Sequence, residues 1–135
     1  MHSILASRIG RPEKAYEMYL RTSRLDLDDY NNEVDEGLHI TSMGGTWMSV
    51  VYGFGGMRIR DGKLSFDPQL PGQWTSLAFK ILFRGRTLSV VIDKESIRVA
   101  NLEGGALELL LFGELNSLQA GSVCHQVNTR IKSGA

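Results

Sequence analysis

The hydrophobic pattern of this chain changes period once, at Met57, and that change constrains the fold more than any other feature. Before it, apolar residues recur at helical spacing; after it, they alternate. Ala15, Tyr16, Tyr19 and Leu20 form a helical stripe behind Pro12, whose missing N–H suits the first turn of a helix. Gly10 and Arg11 separate that helix from a shorter one over residues 3–9. A third helix is expected over about residues 37–52, with Leu38, Met43, Trp47, Val50, Val51 and Phe54 near one face. The Gly44-Gly45 pair inside it costs about 1–2 kcal/mol against two alanines. Glycine there points to the close approach of another backbone or of a ligand. Gly53, Gly55 and Gly56 then stop the helix.

Beyond Met57 the chain reads as short strands. Met57-Arg58-Ile59-Arg60 and Lys63-Leu64-Ser65-Phe66 flank Asp61-Gly62, a pair suited to the two positive-φ positions of a type I′ hairpin turn. Asp67-Pro68-Gln69-Leu70-Pro71-Gly72 is a rigid loop that cannot continue a central strand. Leu77, Phe79, Ile81 and Phe83 alternate with Ala78, Lys80, Leu82 and Arg84, and residues 86–92 return after Gly85. Two more strands fall at residues 96–101 and 106–112, with Gly104-Gly105 between them. The expected fold class is α+β: helices over residues 1–56, then a small antiparallel β-sandwich over residues 57–114. From residue 115 the pattern fades, and residues 115–135 are expected to form a disordered tail.

A hydrophobic content of 42% is enough for a real core. The net charge is zero, with five Lys/Arg against eight Asp/Glu in residues 1–56 and ten against seven in residues 57–135. No concentrated basic stripe appears, which disfavours a nucleic-acid partner. Cys124 is the only cysteine, so the chain has no internal disulfide and no thiolate metal cluster. The first residues lack the apolar run of a signal peptide, and no uninterrupted apolar stretch is long enough to span a membrane. These features fit a cytoplasmic chain with no membrane partner.

His39 is the residue with most chemical promise. It follows Asp26-Leu27-Asp28-Asp29-Tyr30-Asn31-Asn32-Glu33-Val34-Asp35-Glu36, six carboxylates in eleven residues, and it sits at the mouth of the third helix. An imidazole there can bind an anion or move a proton near neutral pH, or it can be a satisfied structural residue. The acidic run lacks the sixth-position glycine and final Glu spacing of a calcium loop, so a solvated loop is the simpler reading. Nothing in the spacing shows Asp28, Asp29 or Glu36 facing a substrate as a catalytic acid. Gly53-Phe54-Gly55-Gly56 lacks the Lys-Ser/Thr of a phosphate loop. Trp47 and Trp74 suit either sugar stacking or junction packing, and packing is favoured. His2 and His125 carry no interpretable context.

Several stretches together resemble glycoside hydrolase family 65, the disaccharide phosphorylases. They include His2-Ser3-Ile4-Leu5-Ala6, Lys14-Ala15-Tyr16-Glu17, Arg24-Leu25-Asp26-Leu27-Asp28-Asp29-Tyr30-Asn31, Glu36-Gly37-Leu38-His39-Ile40 and Gly53-Phe54-Gly55-Gly56-Met57-Arg58. Leu64-Ser65-Phe66-Asp67-Pro68-Gln69-Leu70-Pro71 and Gln73-Trp74 continue the likeness, which covers roughly residues 2–112. Within the family it is nearest to the enzymes that phosphorolyse maltose, although those acting on kojibiose, trehalose and nigerose share these motifs, so the disaccharide stays open. The resemblance implies that residues 1–56 are the last helices of an (α/α)₆ catalytic barrel and that the β half is the family's C-terminal domain. It implies an inverting reaction in which phosphate attacks the anomeric carbon of an α-linked glucose disaccharide while a Glu protonates the leaving oxygen. His39 matches the family's phosphate-contacting His. The general-acid Glu, a substrate-holding Lys-Gln pair and a serine-rich phosphate loop lie upstream of the residues present, so no catalytic residue is expected in this chain. The resemblance further implies a fragment that is inactive alone, a homodimeric parent, and no cofactor or metal, with phosphate entering as a substrate. The rival reading is a non-catalytic carbohydrate-binding or interaction module on the β half, favoured if Trp74 and Phe79 are exposed together. A complementing second chain is a third.

Overall fold

A computed structural model describes residues 1–28 and 40–129. The first part is helical: α1 (His2–Arg8), α2 (Pro12–Ser23), a single turn α3 (Leu25–Asp28), α4 (Ile40–Met48) and a π-helical stretch, Ser49–Phe54. Gly10, at φ +70°, ends α1 in a Schellman motif. Its N–H bonds Ser7 O at 3.1 Å while the Arg11 N–H reaches Ala6 O at 2.9 Å. Pro12 then opens α2 as expected.

The third helix departs from expectation at Ser49, where it widens from α to π. The Gly55 N–H bonds Val50 O at 2.8 Å, five residues back. A π turn rotates less per residue, so side chains three apart diverge further than in an α-helix. Val51 therefore enters the sandwich core, whereas Phe54 enters a separate aromatic cluster under the helices. Gly45 faces α2, with Thr22 Cγ2 3.7 Å from where a Cβ would sit, and Gly44 faces open space. Helix packing accounts for Gly45, and among the described residues nothing approaches Gly44.

Among the described residues eight strands follow: β1 (Met57–Arg60), β2 (Lys63–Phe66), β3 (Ser76–Phe83), β4 (Arg86–Asp93), β5 (Ser96–Glu103), β6 (Leu107–Leu111), β7 (Glu114–Leu118) and β8 (Val123–Val127). They form two four-stranded sheets, ordered β1-β2-β6-β7 and β3-β4-β5-β8. Three tight turns have two consecutive positive-φ residues, Asp61-Gly62, Arg84-Gly85 and Phe112-Gly113. Period-2 alternation on β4 and β5 turns Leu88, Val90, Ile92, Ile97 and Val99 inward. They meet Leu64, Phe66, Leu109, Leu111 and Leu118 from the other sheet, all essentially without solvent exposure.

Two expectations are corrected. The sandwich is not wholly antiparallel: β2 and β6 pair in parallel, with Leu64 opposite Leu109 and Phe66 opposite Leu111. β5 and β6, which Gly104-Gly105 joins, consequently lie in opposite sheets. The second correction concerns the tail. Residues 115–127 are not disordered, because β7 closes one sheet against β6 and β8 closes the other against β5. The sandwich therefore runs past residue 114 to Val127.

Candidate functional site

Helices and sandwich meet in an aromatic junction. Phe54, fully buried, has its ring centroid 5.0 Å from that of Trp74 and 5.6 Å from that of Tyr19. Trp74 also meets Tyr19 at 5.4 Å and Tyr16 at 6.3 Å, both edge to face. Such pairs are worth about 0.5–1.5 kcal/mol each beyond the area they bury. Ala6 and Ala15 bring α1 and α2 close enough for the rings to interlock, and the Ser3 hydroxyl ties α1 to α2 by donating to Ala15 O at 2.9 Å. The Ser7 hydroxyl likewise donates to Gly53 O at 3.1 Å. Phe79 turns into the sandwich beside Phe66, with centroids 6.4 Å apart. Trp74 and Phe79 therefore form no shared exposed platform for a sugar ring.

Gly53-Phe54-Gly55-Gly56 is a packing device. A Cβ on Gly56, at φ +63°, would stand 2.1 Å from Asp67 O, and one on Gly55 would stand 2.7 Å from Val51 O. The Asp67 N–H in turn bonds Gly56 O at 3.3 Å, and the Gln69 N–H bonds Phe54 O at 2.9 Å. The rigid Asp67–Gly72 loop is thereby clamped onto the end of the helical half.

Beside this clamp opens a cleft of about 200 Å³, lined by Arg8 from α1, Arg58 and Arg60 from β1, and Asp67 and Gln69 from the loop. Arg58 is braced: its Nη1 donates to Tyr52 O and, at 2.5 Å, to Met57 O. Burial, followed by the like charges of Arg8 and Arg60, pulls its pKa below the ordinary arginine value. A second hollow, of about 490 Å³, has Asp93 and Lys94 on its wall. Both are already engaged there. Asp93 accepts from the Ser96 hydroxyl at 2.8 Å and from the Glu95 N–H at 2.9 Å, and Lys94 Nζ donates to Gly72 O at 2.7 Å.

Of the residues that the sequence singled out, His39, Asp29 and Glu36 lie outside the described residues, as does most of the acidic run. Asp28 is described and is paired with Arg24, Nε to Oδ2 at 2.7 Å, one helical turn apart. Trp47 is half exposed and edge-on to Tyr52 at 5.8 Å. His125 is exposed on β8. Among the described residues no group of His, Cys, Asp and Glu is placed to hold a metal, and no helix is long and apolar enough to cross a membrane. The arginine cleft was not foreseen. Its members were read as a helix end and a hairpin, and only the docking of α1 on the π-helix brings them together.

The architecture is that of a helical-domain end buttressed by a β-sandwich, and known families show the same order. Residues 1–48 match the glycosyl hydrolase family 65 central catalytic domain, and residues 57–118 match the glycosyl hydrolase family 65, C-terminal domain. The chain belongs to glycosyl hydrolase family 65. It is 45% identical over 121 residues to the α,α-trehalose phosphorylase of Thermoanaerobacter brockii, an alignment covering 90% of this chain and 16% of the relative. The maltose phosphorylase of Bacillus subtilis (strain 168) is 43% identical over 119 residues, covering 88% and 16%. A solved structure assigned as a kojibiose phosphorylase from the human microbiome superimposes with a TM-score of 0.86 at 35% identity, covering 95% of this chain and 19% of that one. The chain thus spans about one-sixth of the length of the curated relatives it matches.

Proposed function

We propose that this chain acts as the C-terminal part of an inverting phosphorylase of α-linked glucose disaccharides. Residues up to Phe54 would supply the last helices of the catalytic barrel, and the sandwich would buttress them. The observation that carries this reading is the aromatic junction. Trp74, the residue best suited to sugar stacking in the β half, is packed edge-on against Tyr16, Tyr19 and Phe54. A freestanding sugar-binding module would need that face open. The exposed apolar residues of α4, among them Ile40, Met43 and Trp47, support a helical half that packs against further helices of the same barrel.

In this reading His39 donates to inorganic phosphate, orienting it and offsetting its charge as it attacks the anomeric carbon from the face opposite the leaving oxygen. The proton for that oxygen comes from a Glu elsewhere in the enzyme. Phosphate is a substrate, the products are β-glucose 1-phosphate and glucose, and the assembled enzyme is a cytoplasmic homodimer. The sequence resemblance favours maltose as the disaccharide. Trehalose phosphorylases at 45% identity and a maltose phosphorylase at 43% support the two sugars about equally.

A chimera tests the proposal: residues 1–118 replace the aligned segment of the Bacillus subtilis maltose phosphorylase. Phosphate-dependent release of β-glucose 1-phosphate from maltose or trehalose is expected, with a KM for phosphate raised at least tenfold by His39→Ala. A folded chimera whose phosphate KM ignores His39→Ala would refute the phosphate role. Turnover by the isolated 135-residue chain would refute the dependence on other barrel helices.

A further inference from the structure

The arginine cleft carries an inference independent of His39. Arg8 and Arg60 are exposed, Arg58 is partly buried, and none of the three makes an ion pair with a described carboxylate. Among the described residues that line it, the wall holds three guanidinium groups and one carboxylate, that of Asp67. Among the described residues Arg58 engages Nη1 alone, with the carbonyls of Tyr52 and Met57, which fixes the plane of its guanidinium and leaves the other edge without a described partner. A partly buried cation without a counter-charge is costly, and a planar fork of donors matches the tetrahedral oxygens of phosphate. At about 200 Å³ the cleft has the room of several waters, each about 30 Å³ in the liquid, so it suits a compact anion and not an extended one.

We propose that this cleft is an anion site that binds a phosphate group between Arg8, Arg58 and Arg60. The ligand is either inorganic phosphate or the phosphate of a small monoester whose organic part projects into solvent. Gln69 and Asp67 from the loop complete the described lining beside the three arginines.

The test is a ¹H–¹⁵N correlation spectrum of the 135-residue chain titrated separately with inorganic phosphate and with a hexose 1-phosphate. Sodium chloride at matched ionic strength is the control. Saturable shifts are expected at the amides of Gly53, Gly56, Arg58 and Gln69. Arg8→Gln and Arg60→Gln should each weaken them about tenfold, the loss typical of one charge-assisted hydrogen bond. Both side chains are exposed, so these variants should fold; Arg58→Gln removes a brace and serves only as a supplementary variant. Tighter binding of the ester would assign the monoester, and tighter binding of phosphate the free anion. His39→Ala should leave the cleft response intact, which separates this site from the proposed catalytic phosphate contact. No saturable shift in either arm, an equal response to chloride, or shifts that survive both arginine substitutions would overturn the proposal. So would shifts that vanish in His39→Ala.

Discussion

Phe54→Ala should uncouple the helical half from the sandwich. Phe54 has no solvent exposure, and its ring edges contact Tyr19 and Trp74 at centroid distances of 5.6 and 5.0 Å. Truncating a buried aromatic to alanine costs about 3–5 kcal/mol, because the lost transfer energy adds to a cavity that neighbours only partly fill. Here the neighbours are rings, fixed by one another and by α2, so little relaxation is available and a value near 4 kcal/mol is expected. A domain of this size has about 5–15 kcal/mol in total. Val51 still anchors the π-helical stretch in the sandwich core, but α1 and α2 reach the β half through the aromatic cluster centred on Phe54, so these two helices should melt first. The assay is urea unfolding in a Trp47→Phe background, so that Trp74 alone reports on the junction while far-UV circular dichroism reports on the whole chain. With an m-value of about 2 kcal/mol/M, the fluorescence midpoint should fall by about 2 M. The sandwich contribution to the dichroism should remain at higher urea. Coincident transitions displaced by less than about 0.5 M would refute the idea that this ring is the coupling element.

Two further outcomes follow from local geometry. Gly56→Ala places a Cβ 2.1 Å from Asp67 O at a left-handed φ, so the clamp on the 67–72 loop must open; a loss of more than about 2 kcal/mol in urea unfolding is expected. Asp93 is held below the ordinary carboxylate pKa, first by the Ser96 hydroxyl and then by the Glu95 N–H. A depressed folded pKa means that its contribution is complete above the unfolded value and is lost as pH falls through the folded one. Urea midpoints followed from about pH 6 to about pH 2 should fall less steeply in Asp93→Asn than in the parent. An identical slope would show that the Asp93 turn makes no pH-linked contribution.

What the sequence revealed was local. Asp61-Gly62 and Arg84-Gly85 each adopt the positive-φ pair that a two-residue hairpin needs, and their flanking alternation places β1 to β4 close to where the pattern put them. The last two strands escaped because their pattern contradicts their burial. On β8 the valines, Val123 and Val127, face solvent, while Cys124 and Gln126 point inward; on β7 only Leu118 is buried. The signal that marked β7 was Phe112-Gly113, a turn without the Asn or Asp that usually announces one. The π-helical switch was hidden for a different reason. It is driven by two separate cores that claim Val51 and Phe54, and neither exists until the tertiary structure does. The arginine cleft is likewise tertiary: fifty residues separate Arg8 from Arg58 along the chain.

The parallel pairing of β2 with β6 has a consequence for the order in which the chain can assemble. The β1–β2 hairpin can zip as soon as Lys63 to Phe66 are available, but its apolar face and free edge await Leu109 and Leu111. All of β3, β4 and β5 lie in between, and bringing such distant segments together exacts loop-closure entropy before any contact rewards it. During synthesis the hairpin must therefore remain half-finished while the opposite sheet grows from consecutive neighbours. Any shortening that removes β6 would strip a partner from β2, at the other end of the sandwich sequence, and leave an open strand edge there as a template for association between chains.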